Sequence, residues 1–209
     1  MSRLLLVLLA GLCVLAVACG GGDDDDGDTG GDGNGDTSSR LTSILLADGT
    51  LCRHVAKGDP PAYEGDTPLR YTCGEDGDRH RVIVGDMAFG PDLVTFEAGF
   101  LVEAREGAGG PMALEDRAEV ERRIAEVQLD DGTVCLNAGQ DADDTAGDER
   151  INFTCGERDG RDVVLTGGFE FDGDRLTASS ARIERVDGAF EVLESSTPSV
   201  LSITLVEVE

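Results

Sequence analysis

Four residues in the first half of the chain have the types and spacing of a zinc site: Cys52, His54, Cys73 and His80. Two thiolates and two imidazoles suit the tetrahedral preference of zinc, and Cys-x-His is a workable ligand spacing. A disulfide would use the same cysteines. The chain decides between these chemistries because the stretch occurs twice. Asp48-Gly49-Thr50-Leu51-Cys52 and Tyr71-Thr72-Cys73-Gly74-Glu75 are answered by Asp131-Gly132-Thr133-Val134-Cys135 and Phe153-Thr154-Cys155-Gly156-Glu157, offset by 83 residues at the first cysteine and 82 at the second. The second copy keeps both cysteines, but Asn137 replaces His54 and no histidine lies near Arg161. Cysteines retained without their histidines point to a disulfide in each copy and to no metal.

No other arrangement rises to a catalytic signature. With two histidines in the chain, histidine-based catalysis must use His54 or His80. The nucleophile elbow, the P-loop, the His-Glu-x-x-His helix and the dinucleotide-binding glycine motif after a strand are all missing from the sequence. The 43 acidic residues guarantee chance proximity of carboxylates, so each is read as a solvated charge. Around Asp32, Asn34 and Asp36 an EF-hand fails, since Thr37 takes the glycine position and no glutamate follows. Asn152-Phe153-Thr154 has the glycosylation form but reads as strand before Cys155. No cofactor is expected, and an enzyme is the least favoured function class.

Charge narrows the partners. Lys and Arg total 17 against 43 acids, a formal net charge of −26, which excludes a large basic face for nucleic acid. A single lysine, Lys57, excludes a polybasic membrane patch. There is no tryptophan and there are only 2 tyrosines and 7 phenylalanines, so few aromatic anchors are at hand for binding.

Met1-Ser2-Arg3 followed by the apolar run Leu4 to Val17 has signal-peptide length and is too short for a comfortable membrane span of about 20 residues. Leu15-Ala16-Val17-Ala18-Cys19-Gly20 resembles the lipobox of bacterial lipoproteins, with Ala16 where leucine is commoner. The resemblance implies a diacylglyceryl group on the Cys19 thiol, cleavage before Cys19 and acylation of the new amino terminus, so that residues 1–18 are a signal peptide and palmitate anchors the rest. Each buried CH2 contributes about 0.8 kcal/mol, which lets two or three chains hold a protein that has no transmembrane helix. Gly20 in place of an aspartate implies outer-membrane or surface display rather than inner-membrane retention. Residues 19–39 then form the lipidated start and an acidic Gly/Asp linker, which has no apolar residue to bury and seven mutually repelling aspartates.

Cys13 leaves with the signal and Cys19 is lipidated, so four cysteines remain and three pairings are open. Duplication selects Cys52–Cys73 and Cys135–Cys155. Each bridge closes a loop of about 20 residues and stabilises by roughly 3 kcal/mol in the chain-entropy account, a large share for a small β unit with a thin core. The fold class expected is all-β: two tandem, similar antiparallel sheet or barrel units, repeat 1 over 40–126 and repeat 2 over 127–209. Strand signals run over Thr42–Ala47, Thr50–Val55, Leu69–Cys73, Arg81–Met87 and Leu93–Glu103, and again over Ile124–Leu129, Thr133–Asn137, Arg150–Cys155, Asp162–Phe171, Arg175–Val186, Phe190–Leu193 and Ser199–Val208. Asp48-Gly49 and Asp131-Gly132 each lie between apolar runs, a hairpin signal. Ile124–Val127 answers Leu205–Val208 in the repeat. By composition, PMALEDRAEVERR allows one short helix near 112–123.

An aromatic-x-Cys strand followed by a glycine-containing turn and an apolar strand is similar to the membrane-bound inhibitors of C-type lysozyme. Tyr71-Thr72-Cys73 and Phe153-Thr154-Cys155 carry the likeness over about 15 residues per copy. It implies a small disulfide-bonded β-barrel and a basic hydrolase as partner. The function expected first is a lipid-anchored, non-enzymatic module of the cell envelope, binding or structural, with the membrane and a basic envelope or extracellular protein as partners. The alternative is an inhibitor of a basic envelope-attacking hydrolase such as lysozyme.

Overall fold

A computed structural model describes residues 40–55, 63–103, 110–139, 144–158, 160–172 and 175–208. The expectations for the signal peptide, Cys19 and the acidic linker fall outside the described residues.

Among the described residues fourteen strands follow one another: β1 (Ser43–Leu45), β2 (Leu51–His54), β3 (Tyr63–Glu64), β4 (Leu69–Asp76), β5 (Arg79–Phe89), β6 (Leu93–Val102), β7 (Met112–Leu129), β8 (Val134–Asn137), β9 (Thr145–Ala146), β10 (Glu149–Arg158), β11 (Arg161–Asp172), β12 (Arg175–Val186), β13 (Ala189–Ser196) and β14 (Val200–Glu207). The protein is all-β, as its β-branched runs and turn glycines predict. Both copies fall within one compact unit, Asp36–Glu209.

Seven strands close a barrel in the order β1, β2, β4, β5, β6, β7, β14 and back to β1. All of these pairs are antiparallel except β1–β14. The first copy is therefore completed by a strand from the end of the second. On the other side of β7 the sheet continues through β8, β10, β11 and β12 to β13, and a bridge from Thr177 to Ser199 ties β12 to the head of β14. Thus β7 and β14 are walls common to both copies, and residues 126 and 127 both lie inside β7. Of the stretches Ile124–Val127 and Leu205–Val208, aligned in the repeat, the first residues meet across the β7–β14 pair, Ile124 directly opposite Leu205.

The register explains why the cysteines stand where they do. Cys52, Ile44, Ile203, Val127 and Cys135 lie directly opposite one another across β2, β1, β14, β7 and β8. Each is at most 2% exposed. Cys52 bonds Cys73 across β2 and β4, and Cys135 bonds Cys155 across β8 and β10. The two expected disulfides are thus the ends of one inward-facing row through the principal core.

The repeated Cys-Gly is a bulge as well as a staple. Cys73-Gly74 together face Arg81, and Cys155-Gly156 together face Val163, so each bulged strand carries two residues against one. Gly74 and Gly156 sit at φ 91° and 79°, where a side chain is strained. Each Asp-Gly pair is the expected tight turn, closed by Leu46 N–H to Thr50 O at 2.8 Å and by Leu129 N–H to Thr133 O at 2.8 Å. Asp48 and Asp131 each accept the N–H of the threonine two residues on, at 2.9 Å.

The helix expected near 112–123 is a strand. Met112–Leu129 pairs with β6 from Val102 opposite Ala113 to Leu93 opposite Arg123. Glu115, Arg117, Glu119 and Glu121 favour helix only by tenths of a kcal/mol each, less than the full row of backbone bonds that β6 offers. Their exposed positions let a helix-like composition persist on a strand. The counterpart in the second copy is β13, and the chain breaks at Pro198 before β14 begins, where β7 runs through unbroken.

Candidate functional site

Two clefts stand at matched places on the two strand pairs that carry the disulfides, and their linings differ. His54 faces Tyr71 across β2 and β4, as Asn137 faces Phe153 across β8 and β10. One residue earlier on the second strand of each pair stand Arg70 and Asn152, and beside each lies a positive-φ glycine, Gly85 or Gly167. The first cleft encloses about 260 Å³ between His54, Arg70, Tyr71, Gly85, Met87 and Phe171. The second also encloses about 260 Å³, between Asp92, Asn137, Glu149, Arg150, Asn152 and Gly167. Each borrows a wall from the other copy: Phe171 closes the first, and Asp92 with Pro91 the second.

One bond is common to both clefts. The Arg70 Nε–H donates to Gly85 O at 3.3 Å, and Asn152 Nδ2 donates to Gly167 O at 2.6 Å. That bond satisfies a glycine carbonyl at an irregularity in the strand ladder. An asparagine suffices for it. Arg70 brings a cation as well, held by Asp86 at 2.8 Å and half-exposed. A guanidinium has five N–H donors, and two such contacts leave donors for a ligand.

The rest of the first cleft is aromatic and apolar. The His54 ring meets the Tyr71 ring edge-on, centroids 5.3 Å apart. The Tyr71 hydroxyl donates to Leu41 O at 3.1 Å, which fixes the ring in the core. Phe171 is 45% exposed at the rim. In the second cleft the polar side chains are held within the protein: Asn137 Nδ2 donates to Ile124 O at 2.8 Å, Asn137 Oδ1 accepts from Gly139 N–H at 2.8 Å, Glu149 accepts from the Thr166 hydroxyl and Asp92 lies 3.9 Å from Arg123 Nε.

A second matched pair of features lies at the Asp-Gly turns. Arg81 Nη1 donates to Asp48 Oδ2 at 2.8 Å, and Arg158 Nη1 to Asp131 Oδ2 at 3.1 Å. The Arg81 guanidinium, with the Thr50 hydroxyl and N–H, holds the Asp48 carboxyl down at about 2. Thr133, through its hydroxyl and its N–H, and then Arg158 hold Asp131 below the usual carboxylate range. The arginines come from β5 in one copy and β10 in the other, so the same pairing is reached by different residues.

The sequence-derived candidates distribute as follows. Cys52 and Cys73 are joined to each other, and Cys135 to Cys155, so no thiolate of these four remains for a metal. His54 lines the first cleft, whereas His80 lies opposite Glu75, its Nδ1 3.5 Å from the carboxylate. Among the described residues no group of three His, Cys, Asp or Glu side chains converges on one point. Tyr71 and Phe153 are buried at 3% and 1%, so the aromatic-x-Cys pattern supplies core residues. Arg70, Phe171 and Asp86 were invisible as a site. The one signal for them was the contrast of Arg70 with Asn152 at matched places in the repeat.

The fold and its clefts define a disulfide-stapled all-β protein with a seven-stranded barrel. No protein family, curated protein or solved structure matches the chain.

Proposed function

We propose that this chain is a lipid-anchored, non-enzymatic binding module of the cell envelope, and that the first cleft is its ligand site. The observation that supports this reading is the divergence of two clefts on one frame. The carbonyl-satisfying bond is kept, while His54, Arg70 and Tyr71 replace Asn137, Asn152 and Phe153. A ligand suited to the first cleft has an acceptor group for Arg70 and a compact apolar body for Phe171 and Met87. Export and the membrane anchor rest on the lipobox ending at Cys19.

Arg70→Asn tests the site because it installs the sister copy's residue and keeps a donor for Gly85 O. A thermal-shift screen of small carboxylates and phosphates on the full chain should find ligands that raise the wild-type Tm. The same compounds should lose their effect on Arg70→Asn while the ligand-free Tm stays put. Equal shifts in both proteins would remove the cleft from consideration. For the anchor, Cys19→Ser should abolish palmitate labelling, and labelling that persists would overturn the lipoprotein reading.

The inhibitor reading is supported by the acidic surface, which suits a basic hydrolase, since the aromatic-x-Cys residues are core. Charge-steered inhibition weakens steeply as salt rises. An undiminished lysozyme rate at low ionic strength in the presence of the protein would end it.

A further inference from the structure

The second copy carries an open strand edge whose counterpart in the first copy is blunted by charge and a bulge. β13 is bonded to β12 along its length, while on the other side, among the described residues, it meets β9 only at Phe190 opposite Ala146. From Glu191 to Thr197 every residue is exposed. Val192 and Leu193 stand out there at 42% and 43% exposure. An edge of this kind presents unpaired N–H and C=O groups, and proteins ordinarily blunt it with charge or a bulge.

The matched edge in the first copy is blunted in both ways. The first half of β7 pairs with β6 as β13 does with β12, and among the described residues its other side meets β3 only near Met112. It carries Glu115, Asp116, Arg117, Glu119 and Glu121. Asp116 and Arg117 bulge opposite Gly99, with Asp116 at φ 51°. Asp116 is held by Arg79 at 3.1 Å and Arg117 by Glu97 at 2.5 Å. β13 also bulges, but the residue it pushes out is Leu193, which has no residue opposite it on β12.

The register fixes the chemistry of what fits beside β13. Directly opposite residues share a face of the sheet. Val192 is opposite Ile183, which is buried, so Val192 lies on the core-side face. Glu191 and Glu194 are opposite Glu184 and Arg182, on the other face. Glu184 is paired with Arg161 at 4.0 Å and Glu194 with Arg182 at 3.3 Å, while Glu191 faces Glu184 as a like charge that a cation on a neighbouring strand would relieve. An incoming strand alternates its side chains between the same two faces. Its apolar residues would meet Val192, and its basic residues would meet Glu191 and share Glu194 with Arg182.

We propose that the free edge of β13 takes up an extended peptide strand in which basic and apolar residues alternate. Main-chain bonds to β13 supply the docking, and the glutamates and Val192 set the register. A second copy of this chain is the wrong occupant. It would lay Glu191 and Glu194 against their own counterparts, between two chains of formal charge −26 each. The proposal is independent of the first cleft, which lies on other strands. Arg70→Asn leaves the edge intact, and changes to Glu191 and Glu194 leave the cleft intact.

The experiment is a fluorescence-anisotropy titration of the full chain in detergent with a short labelled peptide alternating Arg and Val. One control has the same composition in two blocks. Another is the alternating peptide N-methylated at every second residue, which removes the donors of one edge. The alternating peptide should bind the wild type about tenfold or more tighter than either control, since both alignment of charge and main-chain bonding are lost in them. Glu191→Gln with Glu194→Gln, exposed positions that leave the ribbon in place, should weaken it by a similar factor. Equal affinity for the block peptide would reduce the effect to bulk charge attraction and overturn the proposal. So would indifference to N-methylation or to the double substitution. Sedimentation showing dimers that the peptide dissolves would make a second copy the occupant and overturn it as well.

Discussion

Phe89 and Phe171 hold the same place in the two copies and touch each other, ring centroids 5.4 Å apart in an edge-to-face arrangement. Phe89 is opposite Val94 on the partner strand as Phe171 is opposite Leu176, which fixes the equivalence. Contact between equivalent residues is the mark of a local two-fold relation, as in an isologous dimer interface. Phe169 extends the contact, 5.9 Å from Phe89 and 5.6 Å from Phe153. The copies therefore meet through matched aromatic residues as well as through the strands β7 and β14.

This contact should be measurable as a coupling. Edge-to-face aromatic pairs contribute about 0.5–1.5 kcal/mol beyond the area they bury. Phe89→Leu, Phe171→Leu and the double variant, unfolded in urea, should give a coupling energy of that order. Additive effects would mean that the two rings are neighbours without an energetic tie.

The inward row from Cys52 to Cys135 predicts that both staples serve one cooperative core. Replacing Cys135 and Cys155 by serine together should cost about 3 kcal/mol, and replacing Cys52 and Cys73 a similar amount, in the loop-closure account. Because Ile44, Ile203 and Val127 connect the two ends, each loss should shift a single unfolding transition. Two separate transitions, with only one of them sensitive to a given pair, would show that the copies unfold independently.

Much of this arrangement was legible in the residues. The Asp-Gly turns, the strand runs and the intra-copy disulfides follow from local chemistry that the repeat states twice. What was not legible is long-range. Nothing in Val200–Glu207 announces that it lies parallel to Ser43–Leu45 and closes the first copy's barrel, because strand order is set by which apolar faces meet in space. The strand over 112–123 was obscured for a related reason. Glu115, Arg117 and Glu119 point to solvent, where composition carries no record of the neighbouring β6. The first cleft depends on Phe171 reaching across from the other copy, a contact that no spacing along the chain encodes. Its trace in the sequence is the replacement of Asn152 by Arg70 at a place where asparagine already meets the structural need.

That structural need is itself testable. Asn152 is 8% exposed and supplies a donor to Gly167 O. Asn152→Ala should cost about 0.5–1.5 kcal/mol through the lost hydrogen bond to Gly167 O, whereas Asn152→Arg should recover part of the loss by the geometry that Arg70 shows. Urea midpoints of the two variants check this. If alanine is as stable as the wild type, the shared bond is incidental and the comparison of the two clefts loses its basis.

Asp48 makes acid stability a reporter of the first turn. Its folded value is held at about 2, chiefly by the Arg81 hydrogen bond, against about 3.9 for an unfolded aspartate. A depressed carboxyl contributes stability that is fully present above the unfolded value and is lost as pH falls through the folded one. The loss belongs between about pH 4 and about pH 2. Asp131, also depressed, adds a loss of the same sign. Asp48→Asn keeps an oxygen to accept the Thr50 N–H and removes the charge facing Arg81. The variant should therefore be less stable than the wild type at neutral pH, and the gap should narrow on acidification to about pH 2. Urea midpoints taken across that range for both proteins decide the matter: a gap that stays constant would mean that the Asp48–Arg81 pair contributes nothing that protonation can remove.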